Sequence, residues 1–237
     1  MLSTLEIAYS KAFEDAAGKG PHANFAVDIL GPTKLLTELL PEETEVLALA
    51  ALVRYAEARR PARLDHSGTM VPLSEQDPTL WNRELVQAAD IFWSKALALG
   101  APGSRFIQAS IHRTWCGRKL QSDPAPWAEV LGLYDQLLEV RDDDVIRLNR
   151  AVALAEVHGV DAALKEIEAI KCDRLNSFIP YRAVEAEMLK RSGRREEAVE
   201  AYEAILVLGV PSAEDDWIRK QIADVSRGIS SKPQKIH

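Results

Sequence analysis

Cysteine is nearly missing from this chain: Cys116 and Cys172 are the only two among 237 residues. Two thiols cannot build a disulfide framework, and neither stands in a C-x-x-C pair of the kind that holds zinc or shuttles electrons. Both are expected as small core residues. Long apolar runs are also missing. None reaches the ~18 residues that a membrane-spanning helix needs. The opening MLSTLEIAYSKAFED puts Glu6, Lys11, Glu14 and Asp15 where a secretory leader requires an unbroken apolar stretch. A cytoplasmic protein without membrane contact is the expectation.

A basic excess is lacking too. Lys and Arg number 29 against 36 Asp and Glu, for a net charge of −7. A protein that neutralises many phosphates needs a basic face, so direct nucleic-acid binding by this chain is not expected. The signatures of catalysis are absent in turn. His22, His66, His112, His158 and His237 lie apart from one another and from metal-ligand spacing with Cys or carboxylates, and H-E-x-x-H does not occur. Nor is there a G-x-S-x-G elbow, a Walker loop or a dinucleotide-binding glycine motif. No enzyme, metal or cofactor is expected.

What remains is helix after helix. PEETEVLALAALVRYAEARR opens on Pro41, with acids in its first turn and arginines in its last, matching the macrodipole. PTLWNRELVQAADIFWSKALALG reads as a helix with Asp77 as N-cap and Pro78 in its first position. SRFIQASIHRTWCG is a third. The first forty residues are less regular: LEIAYSKAFEDAA is helical, whereas GKGPH and ILGPT interrupt. From Trp127 onward amphipathic segments alternate with short turns. In EVLGLYDQLLEV the residues Val130, Leu133, Tyr134, Leu137 and Leu138 share one face. Asp143 or Asp144 caps the next helix, VIRLNRAVALAEVHG, which Gly159 ends. VDAALKEIEAI, then SFIPYRAVEAEMLKRSG, RREEAVEAYEAILVLG and SAEDDWIRKQIADVSRG complete the series, with KCDRLNS as a longer break.

Gly159 and Gly193 are 193 − 159 = 34 positions apart, and Tyr134 and Tyr202 are 202 − 134 = 68 apart, twice that interval. A helix-turn-helix unit of about 34 residues is the period of tetratricopeptide repeats, which stack into a superhelix with a concave side. The fold class expected is therefore all-α, a helical-repeat superhelix with a short hairpin-like insert. Residues 1–120 form an N-terminal helical part containing a polar insert at 61–77, residues 121–228 form the repeats, and 229–237 form a disordered tail.

The insert, within RRPARLDHSGTMVPLSEQDPTLWNR, carries Asp-x-x-Gly between apolar residues, the chemistry of a tight turn with Gly68 free to take a positive φ. Leu64 with Val71 or Leu73 could pair as a two-stranded flap. Its arginines either pair with Asp65, Glu75 and Asp77, or the flap is a docking surface. Two pairs inside the repeat helices, Asn149-Arg150 and Tyr181-Arg182, either line the groove and grip a peptide backbone or carboxylate, or satisfy bonds between repeats.

Taken together, ARRPARLDHSGTMVPLSEQDPTLWNREL, FIQASIH, W-x5-LYDQLL, VIRLNRAVALAEVHGVDAAL and YRAVEAEMLKRSGRREEAVEAYEAIL resemble the C-terminal tetratricopeptide-like extension of bacterial RNA polymerase sigma factors of the extracytoplasmic-function class. The likeness runs from about Leu39 to Leu208 and is most specific at Gln76-Asp77 and Leu80-Trp81. The promoter-reading domains of such factors do not precede it, and the joining segment's aromatic-Asn-Glu-Gly-aromatic motif is replaced by AYSKAFEDA at residues 8 to 16. Promoter reading is thus not implied. The resemblance implies a domain that contacts sigma-factor domains or RNA polymerase, with Arg63, Asp65, Gln76, Asp77 and Trp81 as contact residues. A free-standing adaptor gripping a peptide through Asn149, Arg150, Tyr181 and Arg182 is the alternative.

Overall fold

The computed structural model describes residues 2–15, 28–100, 102–170, 178–210 and 212–230. Among them the regular structure is helical throughout, as the periodicity requires, and the chain divides into two compact units, Met1–Arg141 and Asp142–His237. The first unit contains helices α1 (Leu2–Asp15), α2 (Leu30–Leu39), α3 (Thr44–Ala58), α4 (Arg83–Leu99), α5 (Ser104–Cys116) and α6 (Trp127–Val140). The second contains α7 (Asp144–His158), α8 (Val160–Ala169), α9 (Ile179–Arg191), α10 (Arg195–Leu208) and α11 (Ser212–Ser230). The division falls after α6, whereas the sequence periodicity places α6 with the repeats that follow it.

In the first unit everything is arranged around α3. Its residues Val46 to Ala58 are buried without interruption, and α1, α2, α4 and α5 all pack on it. A helix of composition TEVLALAALVRYAEA allows this, because alanine on several faces lets neighbouring backbones come close while Leu47, Leu49, Val53 and Tyr55 fill the gaps. In the second unit each helix packs mainly on its neighbour in sequence: α7 on α8, α9 on α10, α10 on α11. Leu148, Ile167, Met188, Tyr202 and Ile205 form its core, with Ala151, Ala163, Ala186 and Ala198 at the crossings. Gly159 (φ 90°) and Gly193 (φ 83°) turn the chain between helices in the left-handed region, where a side chain would be strained.

Several local expectations change. ILGPT does not interrupt a helix but begins one: Pro32 lies in the first turn of α2, where its missing N–H costs no intrahelical bond. Asp77 does not cap the long helix. It caps a 3-10 turn at Pro78–Leu80, and α4 starts at Arg83 with the Asn82 side chain accepting from the Leu85 amide at 3.1 Å. The two carboxamide and carboxylate caps stand five residues apart, and Trp81 turns the chain between them. Asp143, of the two candidates, caps α7 by accepting from the Val145 amide at 2.9 Å. Cys116 is buried as expected, and Cys172 lies outside the described residues, as do the KCDRLNS break and the tail from 231.

Candidate functional site

The insert is ordered by its own polar groups. Asp65 accepts from the amides of Ser67 at 2.8 Å and Thr69 at 2.9 Å, and Gly68 adopts φ 84°. One antiparallel bridge, Leu64 to Met70, closes the turn, and the Val71 amide donates to the Arg63 carbonyl at 2.8 Å. Asp77 accepts from the Thr79 amide at 2.9 Å and hydroxyl at 2.8 Å. Both aspartates thus bind backbone of their own turns. The Ser67 hydroxyl, at 2.6 Å from Asp65, does most to favour that group's ionised form and the Thr79 amide does most for Asp77, so each carboxyl titrates below its usual range.

The insert is fastened from below by Arg118, a residue with no obvious mark in the sequence. It is 5% exposed, and its guanidinium donates to the carbonyls of Ser74 at 3.1 Å, Gln121 at 3.0 Å and Asp123 at 3.3 Å. Gln121 adds a bond from its amide nitrogen to the Glu75 carbonyl at 3.1 Å. Of the residues expected to touch a partner here, Asp65 is exposed, while Arg63 and Asp77 are partly exposed. Gln76 and Trp81 are buried at 6% and 3%, which removes them from any docking surface. Gln76 donates inward to the Val71 carbonyl at 3.2 Å; its Oε1 and the Trp81 Nε1 have no partner.

In the second unit Asn149 is exposed, whereas Arg150 pairs with Glu166 at 3.2 Å and Arg182 with Glu185 at 2.7 Å. Tyr181 is buried in the core of this unit. Asn149 alone of the four is exposed.

A further polar group, at the C-terminal end of α3, was hidden from the sequence by distance along the chain. Arg59 is 7% exposed and touches the Nδ1 of His112 on α5 through Nη2. Its Nε and Nη1 are buried without any partner. The nearest acid in sequence, Glu57, is fully engaged elsewhere: Arg60 donates to both of its oxygens at 2.7 Å, and the Tyr9 hydroxyl donates to Oε1 at 2.9 Å. Burial, with the adjacent Arg59 charge adding to it, lowers the His112 pKa well below its ordinary value, so the imidazole is neutral at pH 7 and can accept from Arg59. Tyr134 on α6 has its phenol pushed up to about 12, by burial first, with the Arg59 charge opposing. Burial likewise raises the Cys116 thiol, again opposed by Arg59. Arg59-Arg60 reads in sequence only as a helix end, and His112 and Tyr134 as ordinary helix positions.

No group of three or more His, Cys, Asp or Glu side chains that could hold a metal occurs among the described residues, and no helix among them is long and apolar enough to cross a membrane. Comparison with known proteins adds two similarities. Residues 1–97 match the model of a family described as a family of unknown function (DUF6596). The chain is also 32% identical, over 204 residues, to an uncharacterized protein of Rhizobium meliloti (strain 1021). That match takes in 86% of this chain and 48% of the relative, so the chain spans about half the length of the curated relative it matches. No solved structure matches it.

Proposed function

We propose that this chain is a regulatory, protein-interaction domain of the kind joined to extracytoplasmic-function sigma factors, acting in transcription initiation through contacts with sigma domains or RNA polymerase. It works in the cytoplasm, without catalysis, cofactor or direct nucleic-acid contact, and its second unit stacks in the manner of tetratricopeptide repeats. The observation that carries this reading is the insert. The segment in which the sigma-factor likeness is most specific folds as an ordered flap, held by Arg118 at its base and presenting Asp65, His66 and Ser67 to solvent at its tip. An ordered polar projection contacts a partner without a large entropic loss on binding.

The test is capture of purified RNA polymerase and of isolated sigma domains by the tagged whole chain. Capture of either, weakened about tenfold or more by Arg63→Ala with helix content unchanged, is expected. Failure of the wild-type chain to capture both ends the reading. One observation favours a second reading, a peptide-binding adaptor: Asn149 is exposed on a helix of the second unit. In that case Asn149→Ala, and not Arg63→Ala, releases the captured partner.

A further inference from the structure

Three arginines of the first unit are buried, and they differ in one respect. Arg54, 6% exposed, donates to the Ala50 carbonyl at 2.9 Å, the Leu30 carbonyl at 3.1 Å and the Thr33 hydroxyl at 3.2 Å, and lies over the Phe92 ring at 4.7 Å. Arg118 is held by three carbonyls. Arg59 has one neutral imidazole, and two of its three nitrogens are without a partner. A buried guanidinium cannot shed its proton to escape the cost of desolvation, and unpaired buried charges are strongly unfavourable. No carboxylate among the described residues pairs with it, since Glu57 is taken by Arg60 and Tyr9.

We infer that Arg59, beside His112, forms a binding site for the carboxylate of a small organic acid. The charge count sets the class. Arg59 contributes one positive charge and neutral His112 none, so a monoanion leaves the site neutral, whereas a dianion leaves a buried negative charge. The donors suit a carboxylate: the Nη2 proton that His112 does not take can act with the free Nε–H or Nη1–H along one edge of the guanidinium. His112, which Arg59 touches, is only partly buried, although Arg59 itself is closed off. The inference does not rest on the regulatory reading above.

Thermal unfolding of the whole chain at about pH 8.5, where phosphate is the dianion, tests it, with sodium acetate or benzoate exchanged for chloride at fixed ionic strength and sodium phosphate as the dianionic comparison. Carboxylate is expected to raise Tm saturably, with phosphate weaker. Arg59→Met should bind at least about tenfold more weakly, because the charge-assisted bonds are lost. Arg59→Met should also be no less stable than wild type in chloride alone, which a purely structural arginine would not allow. A direct readout in the unaltered chain guards against a variant that does not fold: the Arg59 Nε–H resonance of labelled protein should move saturably on acetate titration. An unmoved resonance, an equal Tm rise in wild type and Arg59→Met, or a preference for phosphate would each overturn the assignment.

Discussion

The two units bury different things. In the first, Thr33, Thr37, Arg54, Glu57, Arg59, Gln76, Ser110 and Arg118 are buried among the helices; in the second, no residue of a polar or charged type is buried among the described residues. The second unit instead sets many of its charges in partly or fully exposed pairs, such as Arg191–Glu156 at 2.6 Å and Arg194–Glu197 at 2.6 Å. Exposed pairs of this sort contribute little, so apolar packing between successive helices holds that unit together. The first unit adds to its apolar core a set of individually placed polar contacts. Each fixes one element to another, as Tyr55 does with Asp90 at 2.6 Å and Trp93 with Ser110 at 2.8 Å. A core of that kind specifies one arrangement closely, and it is where a ligand site can be built.

Three experiments sharpen the contrast. Tyr202 is fully enclosed in the second unit, its hydroxyl donating to Glu187 at 2.8 Å. Tyr202→Ala should cost about 3–5 kcal/mol in denaturant unfolding, as a large aromatic lost from a close-packed core does. A much smaller loss would mean that the packing of this unit is loose. In the first unit Arg118→Ala should cost about 3 kcal/mol, since it strips buried carbonyls of a charged donor. Its effect should be concentrated on the insert, read as lost hydrogen-exchange protection at Val71 and Gln76 while α3 stays protected. Uniform loss across the unit would show that the insert and the helices melt together.

The third concerns pH. The folded pKa of His112 lies below its unfolded value near 6.5, so in the window between them the unfolded chain binds more protons. Stability should therefore rise with pH up to about 6.5 and then level off, with a slope from this group of at most about 1.4 kcal/mol per pH unit. Urea titrations from pH 5 to pH 7.5 should show the slope in wild type and its loss in His112→Gln. An identical profile in the variant would mean that His112 is as easily protonated when folded as when unfolded.

The contrast also explains what could be read from the residues alone. Helices of the second unit announce themselves, since Leu148, Ala151 and Ala155, or Ala198, Tyr202 and Ile205, recur at helical spacing and bury for that reason. Turn chemistry at Asp65 and Gly68 was equally legible, because it acts over four residues. The start of α4 was misplaced because Asp77-Pro78 and Asn82-Arg83 offer competing caps, and only the fold decides which one opens the helix. Arg59 and His112 lie 53 residues apart, and Arg118 and Ser74 44 apart. No local pattern joins such partners. For the same reason Gln76 and Trp81, polar or amphipathic in sequence, read as contact residues although they face inward.

Helix α3 has a consequence of another kind. With thirteen successive residues enclosed, it has no free side on which substitutions could accumulate harmlessly, and α1, α2, α4 and α5 meet one another's constraints through it. The second unit resembles a row of tiles, from which the last can lift without the first being disturbed. The first is closer to a wheel on a spindle: a fragment lacking α3 has no partial structure to fall back on, and a change at one rim position reaches the others through the shaft. Arg59 sits at the end of that spindle.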